Sequence, residues 1–257
     1  MKIKTLDNKV WDKKELIDNM YEDSFYYGYL GKNAFSSSSL KLLLDSPKTY
    51  KYVTQYGSDE SQALRDGKLF HTMMLEPEKI DSFTFVDVQS KNTIKYKDAV
   101  KEGDIVFTSK EKKDAERLCD AIYRNEAAKS LLIHSQYEVP EAGILNGYAF
   151  RAKADIIGKN GLIDLKTTTD VKNFNLSARK YRYALQVYIY CQLFNVEYKD
   201  FKFIAIDKAN LDIGIFDVSE DFYFSGEQML EVALQIYKEC IEDDSYDVND
   251  YVIYGTL

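Results

Sequence analysis

Residues 151–168 read Arg-Ala-Lys-Ala-Asp155-Ile-Ile-Gly-Lys-Asn-Gly-Leu-Ile-Asp164-Leu-Lys166-Thr-Thr. Gly158, Asn160 and Gly161 stand between two short β-branched runs, a pattern that specifies a hairpin. Side chains alternate along a strand, so Asp164 and Lys166 project from one face. Closing the hairpin brings Asp155 to that face from the neighbouring strand. Two carboxylates and an ammonium then converge on one point, the minimum needed to hold a divalent cation beside a phosphate. An acid-x-base triplet alone says little, because this composition yields several by chance. The alternative is a surface hairpin with an ordinary cross-strand ion pair.

The chain has 257 residues, 45% of them apolar and 30% charged, which suits a soluble globular protein with a sizeable core. No stretch approaches the roughly 18–20 apolar residues of a membrane span. The first residues lack the apolar run of a secretory signal. Cys119, Cys191 and Cys240 are scattered, which argues against a disulfide framework or a thiolate metal cluster. Together these features predict a cytoplasmic location. A net charge of −8 speaks against a protein that simply coats nucleic acid. The charge is uneven, however. Residues 239–250 are acidic, with Glu242, Asp243, Asp244, Asp247 and Asp250, whereas Lys166, Lys172, Arg179, Lys180 and Arg182 face only Asp170. Such a basic strip fits either a grip on a phosphate backbone or a solvated helix face.

The chain shows no repeats, no linker and only three prolines. One domain is therefore expected, divided into an N-terminal extension (1–34), a mainly helical part (36–130) and an α/β part (135–257). The aromatic run around Phe25 to Tyr29 suits either base stacking or packing as a lid on the core. Serines 36–39 before Leu40, Leu43 and Leu44, and Ser46-Pro47, read as two helix starts. A helix is expected over 61–75, and a strand over 83–86. The lysine-rich stretch 90–103 reads as a loop. Thr108 and Glu111 form a capping box for a further helix. Strands are expected at 137–139, 148–157, 162–166, 201–206 and 213–218, with helices at 181–194 and 220–241.

His71 shares an apolar helix face with Ala63, Gly67, Phe70 and Met74. It fits a core histidine or a ligand for Mn²⁺ or Mg²⁺. Gln186 and Tyr190 share a helix face, as a packing stripe or as a brace for the hairpin or a phosphate. His134 receives no role.

Residues 150–194 resemble the PD-(D/E)XK nuclease core, and more closely the exonuclease VIII (RecE) type of phage recombination exonuclease. Asp164-Leu165-Lys166-Thr167-Thr168 matches that group's D-x-K-T-T, and Arg182-Tyr183-x-x-Gln186-x-x-x-Tyr190 its R-Y-x-x-Q-x-x-x-Y. Residues 36–50 resemble its serine-rich opening, and Gly67-x-x-x-His71-x-x-x-Leu75-Glu76-Pro77 resembles a helix shared with RecB-type nucleases. Ala154 stands where the pattern often has proline, and the cysteines of the iron–sulfur branch are absent.

The resemblance implies a restriction-endonuclease-like α/β core, a central mixed β-sheet flanked by helices with a helical N-terminal part. It implies His71, Asp155, Asp164 and the Leu165 backbone carbonyl as metal ligands. Lys166 would act on the attacking water or on phosphate charge, with Gln186 and Tyr190 bracing the site. Mg²⁺ would be the cofactor, with Mn²⁺ able to substitute. The activity implied is hydrolysis of linear double-stranded DNA from an end, 5′→3′, leaving 3′ single strand for an annealing partner, within a ring-shaped homo-oligomer like those of the relatives. Lys91, Lys95, Lys97, Arg179, Lys180 and Arg182 are the backbone-contact candidates. The rivals are a structure-specific endonuclease and a non-catalytic DNA-end-binding scaffold.

Overall fold

In a computed structural model, which describes residues 1–58, 61–101, 105–243 and 245–256, the chain opens with a two-stranded antiparallel ribbon. It pairs β1 (Lys2–Lys4) with β2 (Val10–Asp12) and runs into α1 (Lys13–Asn19), a π-helical turn (Ser24–Tyr29) and α2 (Leu30–Asn33). Three capped helices follow: α3 (Ser37–Asp45), α4 (Pro47–Tyr56) and α5 (Gln62–Leu75). Ser36, Ser46 and Ser61 each accept a first-turn N–H, and Pro47 occupies a position whose N–H would have no partner.

β3 (Phe83–Val86) pairs in parallel with β4 (Ile105–Thr108), and between them lies α6 (Ile94–Lys101). The loop expected over 90–103 is thus a helix for most of its length, and 102–103 lie outside the described residues. Lysines hid the helix. Its single inward anchor, Tyr96, packs with Val86 and Val106 and donates to the Val106 carbonyl. Thr108 then caps α7 (Ser109–Arg124) in a reciprocal box with Glu111, and α8 (Glu126–Leu132) follows.

The main sheet has five strands in sequential order: β5 (Gln136–Leu145), β6 (Tyr148–Gly158), β7 (Gly161–Thr168), β8 (Phe201–Asp207) and β9 (Ile213–Asp217). Only β7 and β8 are parallel, and α9 (Phe174–Lys180) and α10 (Tyr183–Phe194) connect them. The closing helix expected over 220–241 is α11 (Glu220–Tyr237), continued by a π turn to Glu242. Of the acidic residues singled out beyond it, Asp244 lies outside the described residues.

Helices cover both faces of the sheet. On one, Ile156, Ile163, Leu165, Ile204 and Ile206 pack with Leu69 and Phe70 of α5 and with α7 and α8. On the other, Phe150 and Ala152 pack with α3, α10 and α11, and Ala154, Leu162 and Phe203 with α9 and α10. Phe25, Tyr26 and Tyr29 join Trp11, Ala142 and Ala149 in a separate cluster, so those rings pack on the core, while Tyr27 remains exposed.

The hairpin turn sits tightly against the next strand. Gly161 has φ +126°, and a Cβ there would fall 1.9 Å from the Asp200 carbonyl oxygen. Gly161→Ala is therefore expected to lower unfolding free energy by about 3 kcal/mol or more, read as a drop in urea midpoint at unchanged m-value.

Candidate active site

The β6–β7 ladder pairs Gly158 with Gly161, Ile157 with Leu162 and Ile156 with Ile163, and then stops. Continued by one residue, the same register sets Asp155 opposite Asp164. On the other side of β6, Tyr137 pairs with Ile156 and Val139 with Ala154, but the rung between them, Glu138 and Asp155, is unpaired. Glu138 there has a left-handed φ of +49°, uncommon for any residue but glycine. Three acids from three neighbouring strands therefore share one rung, and both ladders open there. The alternation of β6 also slips at this point: Ala154 packs toward α10, whereas Ile156 packs toward α5. The Asp155 carboxylate turns into the opening and accepts the Leu165 N–H at 2.8 Å.

α5 brings His71 to the same place, with Nδ1 3.6 Å from Asp155 Oδ2. His71, Glu138 and Asp155 each offer a ligand atom, and these atoms lie within 4.8 Å of one another. Glu138 is a candidate ligand that the sequence alone does not single out. It was one acid in a short Tyr-Glu-Val run, and its only signal was the period-two register with Asp155 once β5 and β6 are aligned.

Asp164 is 2% exposed and stands apart from that trio. Its Oδ1 accepts from the Gln186 side-chain amide, and its Oδ2 meets the Lys166 ammonium. That Oδ2 is fully buried yet receives no well-formed hydrogen bond, an unusual state for a carboxylate oxygen. The imidazole and two carboxylates of that trio fit a metal. Tyr190, one turn beyond Gln186, donates to the Lys153 carbonyl at 3.0 Å. The two α10 residues thus brace β7 and β6 respectively. For Leu165, the structure gives its N–H to Asp155.

Crowding of acids shapes the local charge. Burial pushes the Glu138 carboxyl up to about 8, helped by Asp155 and Glu76. Burial, then Asp164, also raises Asp155, against the pull of His71, Lys166 and the Leu165 N–H. Burial disfavours the charge on Lys166, but Asp164 and Asp155 outweigh it and hold its pKa above the usual lysine value. Lys153 and Lys79 offset only part of the rise in Glu138. The Lys153 ammonium is held 3.1 Å from Asp23 of the N-terminal segment, which also takes Lys79 at 3.3 Å.

The other basic candidates are dispersed. Lys91 bonds Glu111 and Gln62 at 2.7 and 2.6 Å. Lys95 and Lys97 are exposed on α6, and Arg179 and Lys180 are exposed at the end of α9. Arg182, in the left-handed turn before α10, pairs with Asp45 of α3. That contact brings α3 to the mouth of the site and places Lys41, overlooked in the sequence, beside Tyr183. No described helix is long and apolar enough to cross a membrane.

In comparison with known proteins, residues 36–248 match the model of a family described as a PDDEXK-like domain of unknown function (DUF3799). No curated protein matches the chain. Among solved structures, one similar fold belongs to a protein from Eubacterium rectale named provisionally as an exonuclease. Its TM-score is 0.64 at 16% identity, over 92% of this chain and 95% of that one. A second, SSO0001, overlaps at a TM-score of 0.31 and 19% identity over 66% of this chain and 85% of that one, too loosely to bear on the site. The motif order, the splayed hairpin and the extent of the match lead to one conclusion: this chain is a member of the PDDEXK-like family DUF3799, within the PD-(D/E)XK nuclease superfamily.

Proposed function

We propose that this protein is a Mg²⁺-dependent deoxyribonuclease that degrades linear double-stranded DNA from an end. The observation that carries the reading is the single rung of Glu138, Asp155 and Asp164, flanked by His71 and Lys166. A divalent cation held there would lower the pKa of bound water and offset the charge of a phosphodiester. His71, Glu138 and Asp155 would hold it, with the open oxygen of Asp164. Gln186 keeps the Asp164 carboxylate in one orientation, and Tyr190 fixes β6 beside it. Lys166 keeps its proton in this acidic setting, so a full positive charge faces a phosphate whose negative charge grows as the bond breaks. Hard oxygen donors favour Mg²⁺, and the imidazole makes Mn²⁺ a good substitute.

End-dependent cutting is favoured by the name of the Eubacterium rectale relative and by the exonuclease VIII resemblance. The latter also suggests 5′→3′ polarity, a ring-shaped assembly and supply of 3′ single strand to an annealing protein. The test uses linear duplexes labelled at the 5′ or the 3′ end, beside a covalently closed circle, with and without Mg²⁺. Loss of 5′ label as mononucleotide, with the circle intact, is the expected result. Cutting of the circle would replace this reading with an endonuclease. Binding without any cleavage in Mg²⁺ or Mn²⁺ would replace it with a scaffold.

A further inference from the structure

Among the described residues around Tyr183, one cation goes without an ion pair. Three cations gather there: Lys41 from α3, Lys166 from β7 and Arg182 from the turn before α10. Carboxylates pair directly with two of them. Asp164 meets Lys166 and Gln186, and Asp45 takes Arg182. Among the described residues, Lys41 has no carboxylate within ion-pair distance. Yet it is half-buried, and its ammonium lies 5.1 Å from the centre of the Tyr183 ring. The Lys166 ammonium lies at the same 5.1 Å from that ring.

The ring itself is firmly held. It stacks on Phe203 at 5.7 Å and packs against Phe174 at 6.0 Å, both buried. The backbone of Lys41 is equally fixed, because Leu40 and Leu43 on either side of it lie in the core with Leu185 and Leu230. Burial, then the nearby Lys166 charge, brings Lys41 down to about 7, against a weaker pull from Asp164, as expected of an ammonium with no carboxylate in direct contact. A desolvated cation without a partner costs stability and is explained when an anion from outside completes it.

We propose that Lys41 is a phosphate-binding residue of this site, gripping a backbone phosphate of the DNA strand being cut, beside the Tyr183 ring that Lys166 also approaches. The inference rests on the nuclease reading for its ligand, but Lys41's part in it is separately testable. A phosphate there would give Lys41 the anionic partner that Asp164 and Asp45, engaged with Lys166 and Arg182, do not supply. It would also tie α3 to the substrate, giving the serine-capped helix a role beyond packing.

The test measures binding of the full-length chain to a fluorescein-labelled 20-base-pair duplex with Ca²⁺ in place of Mg²⁺, across a series of KCl concentrations. Wild type, Lys41→Met and Lys41→Arg are compared. Lys41→Met is expected to weaken binding about tenfold and to make the plot of log affinity against log salt shallower by about 0.9, the signature of one lost phosphate contact. Lys41→Arg should keep the wild-type slope. A thermal melt of Lys41→Met at or above wild type shows that the loss is not one of folding. An unchanged slope in Lys41→Met overturns the inference, whatever the cleavage activity. If wild type binds DNA but cuts neither linear nor circular DNA, the nuclease reading falls while the slope still decides Lys41. A wild type that binds no DNA overturns both.

Discussion

Replacing Lys166 by alanine is expected to cut the single-turnover rate of DNA hydrolysis about a thousandfold while leaving duplex affinity within a few-fold of wild type. Lys166 is the one cation that touches the carboxylate set directly, and its charge matters most where phosphate charge develops. The substitution has a second effect that can be read separately. Asp164 would keep its buried carboxylate and lose the one cation, among the described residues, that contacts it directly, a defect of about 3–5 kcal/mol in metal-free protein. Saturating Mg²⁺ should recover much of that loss, because a bound cation supplies the missing positive charge. Rates should therefore be compared under saturating Mg²⁺, where the variant is folded. A Lys166→Ala protein retaining more than a tenth of the wild-type rate would remove Lys166 from the reaction.

The second large effect concerns Glu138 and pH. Between the ordinary carboxylate range and about pH 8, the folded chain holds a proton on Glu138 that the unfolded chain has released. Stability of the metal-free protein should therefore fall as pH rises through that window, by an amount on the order of a few kcal/mol in total. Cation binding runs the opposite way, since a ligand carboxylate must give up its proton. Mg²⁺ or Mn²⁺ affinity should rise toward tenfold per pH unit up to about pH 8 and level off above it. In Glu138→Gln both pH dependences should flatten, and the metal-free variant should melt higher than wild type at pH 8. Calorimetric titration with Mn²⁺ and thermal melts between pH 5 and 9 measure the two arms. Equal pH slopes in wild type and Glu138→Gln would exclude Glu138 from the cation site.

Much of this architecture is legible in the linear sequence because it depends on short-range rules. The hairpin follows from its turn residues, and α7 starts at a Thr108–Glu111 box that local hydrogen bonding alone dictates. Asp155, Asp164 and Lys166 stand out because one tight turn relates them, whereas His71, Gln186 and Tyr190 gain their roles from the resemblance of their motifs to those of known nucleases. What stays hidden depends on how separate elements meet. Glu138 gains its meaning only from the β5–β6 register, and its left-handed backbone leaves no trace in the identity of its neighbours. Lys41 looks like any polar position on an amphipathic helix until α3 docks against α10. α6 is concealed for the opposite reason: four of its eight residues are charged, Ile94 and Val100 are exposed, and Tyr96 is the one residue it buries.

Drawing acids from adjacent strands has a geometric corollary. The paired rungs beside the opening, rather than loop conformation, set the gauge between the donors. Rotation about side-chain bonds is then enough to close the donors around an ion of small radius or release it. Ions could exchange on the timescale of rotamer motion while the main chain stays still, and lengthening the connection at Lys159 and Asn160 would leave that gauge as it is.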